Sequence, residues 1–110
     1  MPSPESGVRV VFATAPDAEV GARLARALVT ERLAACVNLV AGVRSIYRWQ
    51  GKVHDDAEVL LVIKTTEGRL AELCARVAAL HPYELPELLA LPAVGGSADY
   101  LAWVAEESRP

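Results

Sequence analysis

The run ACVNLVAGVRSIYRW at residues 35–49 and the run KVHDDAEVLLVIKTT at residues 52–66 are joined only through WQGK at residues 49–52. Both runs read as strands, so together they predict one long β-hairpin. An extended arm of about 14 residues spans roughly 46 Å at ~3.3 Å per residue. A compact domain of this size has a diameter of about 35 Å. The tip of the hairpin is therefore predicted to project beyond its own core.

A projecting hairpin needs other protein surface to shield it from water. Its strand edges and its Ile46, Tyr47 and Trp49 side chains would otherwise face water, which is an aggregation hazard that native proteins avoid. Another copy of the same chain is the simplest cover. The hairpin therefore predicts a homo-oligomer.

Length and composition indicate one globular domain. The chain has 110 residues, of which 53% are hydrophobic and only 5% aromatic, so the core is expected to be aliphatic. The first residues lack the features of a secretory signal. We expect a disordered tail at residues 1–7 and a single domain at residues 8–107.

The charge pattern, the hydropathy and the two cysteines limit the partners and the cellular location that the sequence predicts. The formal net charge is −3 and basic residues are scattered among acidic ones, so no nucleic-acid surface is predicted. No apolar stretch reaches the ~18 residues of a membrane span. Cys36 and Cys74 lie in apolar contexts and do not form a disulfide framework, which predicts reduced thiols and a cytoplasmic location.

Hydrophobic periodicity and boundary residues place the other elements. Pro86 places the last predicted strand near a sheet edge. Ser97 is predicted to cap the last helix, and Thr65 or Thr66 the second one. In chain order the expected elements are a strand at 8–14, a helix from Ala15-Pro16-Asp17 to about Arg32, the hairpin, a helix ending at His81-Pro82, a strand at 85–91 and a helix at 98–107.

This order, β-α-β-β-α-β-α, consists of two βαβ units joined by the hairpin. It predicts an α+β fold, the ferredoxin-like or split βαβ sandwich, with a long β-hairpin and an added C-terminal helix. Helices on one face would leave the other, apolar face of the sheet bare, which again predicts an oligomer.

The sequence offers no constellation for catalysis. A nucleophile needs a base and an orienting group beside it, but Ser45 and Ser97 have no histidine nearby in sequence. The glycine-rich motifs that hold phosphates are absent as well. We therefore predict a protein that is not an enzyme and that requires no cofactor.

Metal binding has better candidates. Cys36, His81, Glu84 and Glu87 are ligand types that suit copper or zinc if they converge. Two plainer interpretations stay open: His81 could bond the last carbonyls of its helix, and Cys36 could fill the core. His81 and Cys36 are the candidate metal ligands.

Polar aromatic residues outside the aliphatic core indicate an interface or a ligand cleft. Tyrosine and tryptophan are favoured where one end of the side chain is buried and the other is wet. Lys64 either brings a positive charge to such a cleft or is an ordinary solvated lysine. The predicted inter-subunit cleft, which would hold a small ligand or a metal ion, contains Tyr47, Trp49, Lys64, Tyr83, Glu84, Glu87 and Trp103.

Ungapped motifs in a fixed order resemble the CutA family of divalent-cation tolerance proteins. They are RALVTERLAACVN at 26–38, SIYRWQGK at 45–52, KTT at 64–66, HPYELPE at 81–87 and ADYLAW at 98–103. The resemblance covers residues 8–104. It implies a ferredoxin-like subunit in a tight homotrimer, in which the long hairpins pair with neighbouring subunits as in signalling proteins of the PII type.

The resemblance also implies a role in tolerance of copper and other divalent cations. In a copper-binding bacterial member the proposed ligands are a cysteine before a Thr-x-Pro turn and two histidines before Pro-Tyr. Those positions hold Ala13, Leu80 and His81 here, so only His81 is retained. The expected function is a homotrimeric module that binds Cu²⁺ or another divalent cation, or that signals in the response to metal ions. The alternative is a PII-like scaffold trimer with no metal role.

Overall fold

The computed structural model of the chain describes residues 6–110. Residues 1–5 of the predicted disordered tail lie outside the described residues. The last two residues of that tail are held by hydrogen bonds: Ser6 Oγ donates to the carbonyl oxygen of Ala93 at 2.8 Å, and Glu67 N–H donates to that of Gly7 at 2.9 Å. The ordered chain therefore includes two residues that were expected to be disordered.

Strands and helices follow the predicted order in the described chain. A short 3₁₀ helix at Glu67–Arg69, which was not predicted, precedes the second α-helix. The main elements are β1 (Val8–Ala15), α1 (Ala18–Thr30), β2 (Cys36–Trp49), β3 (Lys52–Thr66), α2 (Leu70–Leu80), β4 (Leu89–Pro92) and α3 (Ala98–Glu107).

Within residues 6–110 the strands form one antiparallel sheet in the order β2-β3-β1-β4. The central pair is β1 and β3, with Val11 opposite Ile63 and Ala13 opposite Leu61. This strand order, combined with the alternation of strands and helices, is the split βαβ arrangement. The predicted ferredoxin-like α+β fold is confirmed.

The core lies between one face of the sheet and the helices α1 and α2. Alternate residues of β1 and β3 point into it because side chains on a strand have a period of two. The most deeply buried members are aliphatic, as the composition predicted. They are Val11, Leu24, Leu28, Leu61, Ile63, Leu73 and Val77.

The first helix starts later than predicted because Asp17 is its N-cap. Asp17 has extended dihedral angles, and its Oδ1 accepts a hydrogen bond from Val20 N–H at 2.9 Å. An N-cap residue lies outside the helix that it caps, so α1 begins at Ala18. The helix ends at Thr30, and Arg32 already has a positive φ of 60°.

Two further local predictions need correction, and one is confirmed. Neither threonine caps the second helix: Thr66 makes no capping hydrogen bond, and buried Thr65 instead donates through Oγ1 to the carbonyl oxygen of Leu33 at 2.6 Å. The last strand is shorter than predicted, since only Leu89–Pro92 pairs with β1. Ser97 caps α3 as predicted, accepting from Tyr100 N–H.

The hairpin turn and the molecular dimensions agree with the predicted projecting ribbon. Gln50 and Gly51 both have positive φ, at 49° and 78°, as the two central residues of a type I′ hairpin turn require. The longest dimension of the described chain is 46 Å and its radius of gyration is 14.6 Å. A compact chain of this size has a radius of gyration of about 13 Å, so the hairpin extends the molecule.

The second face of the sheet is only partly covered, whereas the sequence predicted that it would be bare. Val8 and Ala35 are buried there against Val104 and Leu101 of α3. The rest of this face carries apolar side chains that lie outside this buried cluster. They are Val10, Phe12, Val40, Leu60, Val62, Leu89 and Leu91, which alternate in register with the core residues. We call these seven residues the open face.

None of the helices among residues 6–110 is both long enough and apolar enough to cross a membrane.

The left-handed conformation of Gly51 gives a test of the turn. Gly51→Ala should lower the free energy of unfolding by about 1 kcal/mol, because a Cβ is disfavoured at positive φ. Gly68→Ala is the matched control, since Gly68 has no positive φ and a Cβ there would meet no atom within 4 Å. Urea unfolding followed by circular dichroism measures both variants. Equal effects of the two substitutions would contradict the turn assignment.

Candidate functional site

A cavity of about 890 Å³ opens where the hairpin meets the segment that follows α2. This volume lies within the range of sites for small molecules. Its walls come from β1, from both arms of the hairpin and from residues 82–87. The lining residues are Thr14, Ser45, Ile46, Tyr47, Arg48, Trp49, Glu58, Pro82, Tyr83, Glu84, Leu85, Pro86 and Glu87.

A β-bulge in β2 turns the aromatic residues of the hairpin toward this cavity. Val40 lies opposite Leu60, but Val43 lies opposite Glu58, so β2 contains one more residue than β3 over this interval. The extra residue reverses which side chains share a face. Gly42, inside the bulge, has a φ of 81°. After it, the odd-numbered residues of β2, among them Tyr47, lie on the face of Glu58.

His81 holds the segment after α2 against the sheet. Its Nδ1 accepts a hydrogen bond from Tyr83 N–H at 3.1 Å, so Nε2 carries the proton and donates to the carbonyl oxygen of Thr14 at 2.7 Å. The side chain is buried. Both ring nitrogens are thus used within the chain, and His81 has no lone pair left for a metal ion in this conformation. Its side chain bonds β1, and only its backbone N–H donates to a last carbonyl of its own helix, that of Val77 at 2.8 Å.

Two tyrosine–carboxylate hydrogen bonds fix the polar groups of the cavity. Tyr83 Oη donates to Glu58 Oε2 at 2.8 Å, and Tyr47 Oη donates to Asp56 Oδ2 at 2.5 Å. Burial, and then the hydrogen bond to Glu58, raise the pKa of Tyr83 well above its usual range. The hydrogen bond to Asp56 is the main reason that the pKa of Tyr47 is raised. Both phenols therefore stay protonated donors at neutral pH.

Glu58 is a cavity residue that the sequence analysis missed. It is buried and lies directly opposite Val43 at the bulge. A signal for it was present in the sequence, because glycine inside a strand pattern indicates a bulge. A bulge at Gly42 would have placed Glu58 on the same face as Tyr47.

The structure brings together five of the predicted cleft residues. Tyr47 and Trp49 come from the hairpin, whereas Tyr83, Glu84 and Glu87 come from the segment after α2. These five line one cavity within a single chain. The sequence pattern therefore located most of the site without showing how it is assembled.

Lys64 and Trp103 lie elsewhere. Lys64 stands six residues from Glu58 along β3, about 20 Å away in an extended strand, and its Nζ donates to Asn38 Oδ1. Trp103 packs against Tyr100 on α3, with ring centres 5.6 Å apart. In one chain the predicted seven-residue cleft is therefore two separate groups. Whether a second copy unites them stays a prediction.

Cys36 belongs to the second of these groups. It lies opposite Lys64 in the sheet and is half-buried, and burial together with the Cys36 thiol raises the pKa of nearby Tyr100. It is far from His81, which contacts the other end of β1. In the part of the chain that the structure describes, no three side chains of His, Cys, Asp or Glu come together as a metal site requires.

A second, shallower groove of about 380 Å³ lies between the end of α1 and α2. Its charged residues pair with one another: Arg76 contacts Glu31 at 2.9 Å, and Arg69 contacts Glu72 at 3.0 Å. These pairs leave little polar capacity for a ligand. The cavity beside the hairpin is therefore the candidate functional site.

A family model and related sequences indicate the same protein family for this chain. A family model described as CutA1 divalent ion tolerance protein matches residues 9–107. The chain is 54% identical over 99 residues to the divalent-cation tolerance protein CutA of Thermus thermophilus, and the match covers 90% of this chain and 96% of that protein. It is 50% identical over 100 residues to the chloroplastic CutA 1 of Oryza sativa, which covers 91% of this chain but only 56% of the rice protein.

A solved structure has the same fold. The divalent cation tolerance protein from Thermus thermophilus matches with a TM-score of 0.91 and 52% sequence identity, over 93% of this chain and 99% of that one. The long hairpin and the added C-terminal helix are therefore parts of the shared fold.

Ionisation of the tyrosines tests the hydrogen bonds of the cavity. Neutral Tyr83 stabilises the fold below the ordinary tyrosine pKa of ~10, and this stabilisation is lost as the pH rises above it. In a spectrophotometric titration, Tyr83→Phe should remove the ionisation that occurs at the highest pH. Tyr100→Phe, outside the cavity, should leave that step in place. A highest step that survives in Tyr83→Phe would contradict the assignment to this hydrogen bond.

Proposed function

This chain belongs to the CutA1 divalent ion tolerance protein family, and from that premise we propose that it works as a homotrimeric binding module. The observation that carries the proposal is the cavity of about 890 Å³, whose walls combine aromatic rings with carboxylates. In this proposal the protein has no catalytic role. Its part in tolerance of divalent cations depends on occupation of the cavity, either by an ion or by a small ligand that signals the metal response.

The open face and the strand edges support assembly. Leu89 is 58% exposed and Leu91 is 44% exposed on β4, an edge strand beside the open face. The other edge strand is the long β2. Exposed apolar strands at an edge favour pairing with another chain. A closed ring uses both edge strands of every copy, because each edge meets a different neighbouring copy. The number of copies, three, is what the resemblance to the CutA family implies.

A non-catalytic role agrees with the state of the two histidines. His81 uses both nitrogens within the chain, and His54 stacks on Tyr47 with ring centres 5.2 Å apart. The cavity side chains are hydrogen-bonded carboxylates and phenols rather than a nucleophile beside a base. Such groups bind and orient a molecule.

Direct metal binding has less support than binding in the cavity. Only one of the family's three proposed copper ligands is retained, and that residue, His81, is fully hydrogen bonded. A divalent ion would have to use the cavity carboxylates instead, with further oxygen ligands from water or from a second copy. A scaffold trimer without a ligand is the alternative, and the size and polar lining of the cavity argue against it.

A cytoplasmic location is part of the same proposal. Both cysteines, Cys36 and Cys74, are free thiols, and burial raises the pKa of the Cys74 thiol, which keeps it protonated and unreactive. Such thiols suit a reducing compartment.

Assembly can be tested with a charge on the open face. Leu91→Glu should convert the trimer to monomers, because a carboxylate cannot be buried unpaired in an apolar interface. The matched control is Val29→Glu on α1, where the native side chain has a similar exposure of 42% against 44% for Leu91. Light scattering coupled to size exclusion measures the mass. A Leu91→Glu protein that stays trimeric, or a wild-type protein that is monomeric, contradicts the proposed assembly.

The role of His81 can be separated from metal binding. His81→Ala should lower the free energy of unfolding by about 2 kcal/mol, because it leaves the buried Thr14 carbonyl without its donor. Calorimetric titration with Cu²⁺ and Zn²⁺ should give the same affinity as the wild type. His54→Ala is the control for loss of an imidazole outside the core. A folded His81→Ala protein that loses Cu²⁺ affinity would restore His81 as a ligand.

A further inference from the structure

Glu58 carries a negative charge that no basic residue neutralises. The residue is only 9% exposed. Within residues 6–110 its hydrogen-bond donor is the neutral phenol of Tyr83, and none of the ion pairs involves it. The wall of the cavity therefore lacks a positive charge beside Glu58. The Glu58 oxygen without a donor keeps access to the cavity, so a cation that enters can reach it.

The surroundings of Glu58 suit an organic cation. Oε2 accepts the Tyr83 phenol, and Oε1 has no donor within the described chain. The aromatic residues Tyr47, Trp49 and Tyr83 line the same cavity. Aromatic faces attract ammonium and guanidinium groups, most strongly where water is displaced. A cation here would gain a charge-assisted hydrogen bond to Glu58 and contact with the rings.

The charged side chains that line the cavity also favour a cation. Three carboxylates, on Glu58, Glu84 and Glu87, line it against the single guanidinium of Arg48. A concave surface with an excess of one charge raises the local concentration of the opposite charge. The excess here attracts cations.

The geometry favours an organic cation over a metal ion or a protein side chain. A divalent ion such as Ca²⁺ requires six or more oxygen ligands, and no three acidic or histidine side chains converge in residues 6–110. The volume of about 890 Å³ greatly exceeds the need of one lysine or arginine tip.

We infer that the cavity binds a small organic cation, whose ammonium or guanidinium group pairs with Glu58 and lies against the rings of Tyr47, Trp49 and Tyr83. This inference rests on the proposed function, because it names the class of ligand that the proposed site takes.

Calorimetric titration of the assembled full chain with 1,4-diaminobutane tests the inference. The neutral 1,4-butanediol, of the same length, is the control ligand and should not bind. Glu58→Gln keeps the shape and removes the charge, so it should weaken diamine binding about ten- to a hundredfold. Glu19→Gln, on the exposed first turn of α1, is the matched control and should leave the affinity unchanged. Added salt should weaken the wild-type interaction.

A second variant addresses the rings without touching Glu58. Tyr47→Leu should weaken diamine binding about threefold, since it removes one aromatic face and keeps the carboxylate. Circular dichroism confirms that each variant is folded. Equal diamine affinity in wild type and Glu58→Gln, or equally tight binding of the diol, overturns the inference.

Two other results would also overturn the inference, and each would indicate a different partner for Glu58. Zn²⁺ binding that depends on Glu58, without any diamine binding, assigns the carboxylate to a metal ion. No diamine binding, with a Glu58→Gln protein that dissociates in amine-free buffer, assigns it to a basic side chain of a second copy. Light scattering keeps the two proposals separate: a trimer that binds no diamine refutes this inference alone, and a monomer that binds diamine refutes the proposed trimer alone.

Discussion

The alternation of side chains along β2, and its single interruption at the bulge, determine where every residue of the hairpin points. A strand has a period of two, so one additional residue exchanges its faces for the remainder of its length. Before the bulge, Val40 belongs to the open face of the sheet together with Leu60. Beyond the bulge, Tyr47 and Trp49 lie on that face, which also carries the acidic residues Asp56 and Glu58 of β3. Without the bulge Tyr47 and Trp49 would lie on the other side of the ribbon, and Tyr83 would be the aromatic residue left in the cavity wall.

The same face of the sheet therefore changes character along its length. Near Val8 and Ala35 it is covered by α3, and near Val10 and Phe12 it is apolar and lies outside that cluster, as the proposed interface between copies requires. Near Glu58 it is acidic and aromatic, and it is closed by the segment that His81 holds in place. In the proposed function, one surface thus provides both an assembly region and a binding region.

Most of the fold could be predicted from the sequence, because its signals are local. The turn at Gln50-Gly51, the cap at Ser97 and the end of the helix at His81 each depend on one or two residues whose backbone preferences are strong. Thr65 was misassigned because its hydroxyl bonds Leu33, thirty-two positions away in the chain, and no local pattern shows such a partner. The last strand was predicted to begin four residues too early because apolar Leu85 and Leu88 precede the residues that pair with β1.

The site was predicted less completely for a related reason. Periodicity gives the face on which a side chain lies but not its position along the sheet. Lys64 was therefore grouped with Tyr47, which lies opposite His54, ten residues along β3 from Lys64 and roughly 33 Å away in an extended strand. Glu58 was missed because it follows Asp55-Asp56, and a run of acidic residues in a sequence usually indicates solvated surface. Its burial results from Tyr83, which the chain brings over it from twenty-five positions further on.

The hydrogen bonds of His81, Tyr47 and Tyr83 have a kinetic consequence. They fasten both walls of the cavity in the free protein, so the recess is preorganised and no lid has to close over an incoming molecule. Conformational gating slows association, so a preorganised recess favours fast entry of the proposed ligand. Related compounds would then differ chiefly in how long they reside in the protein rather than in how quickly they arrive.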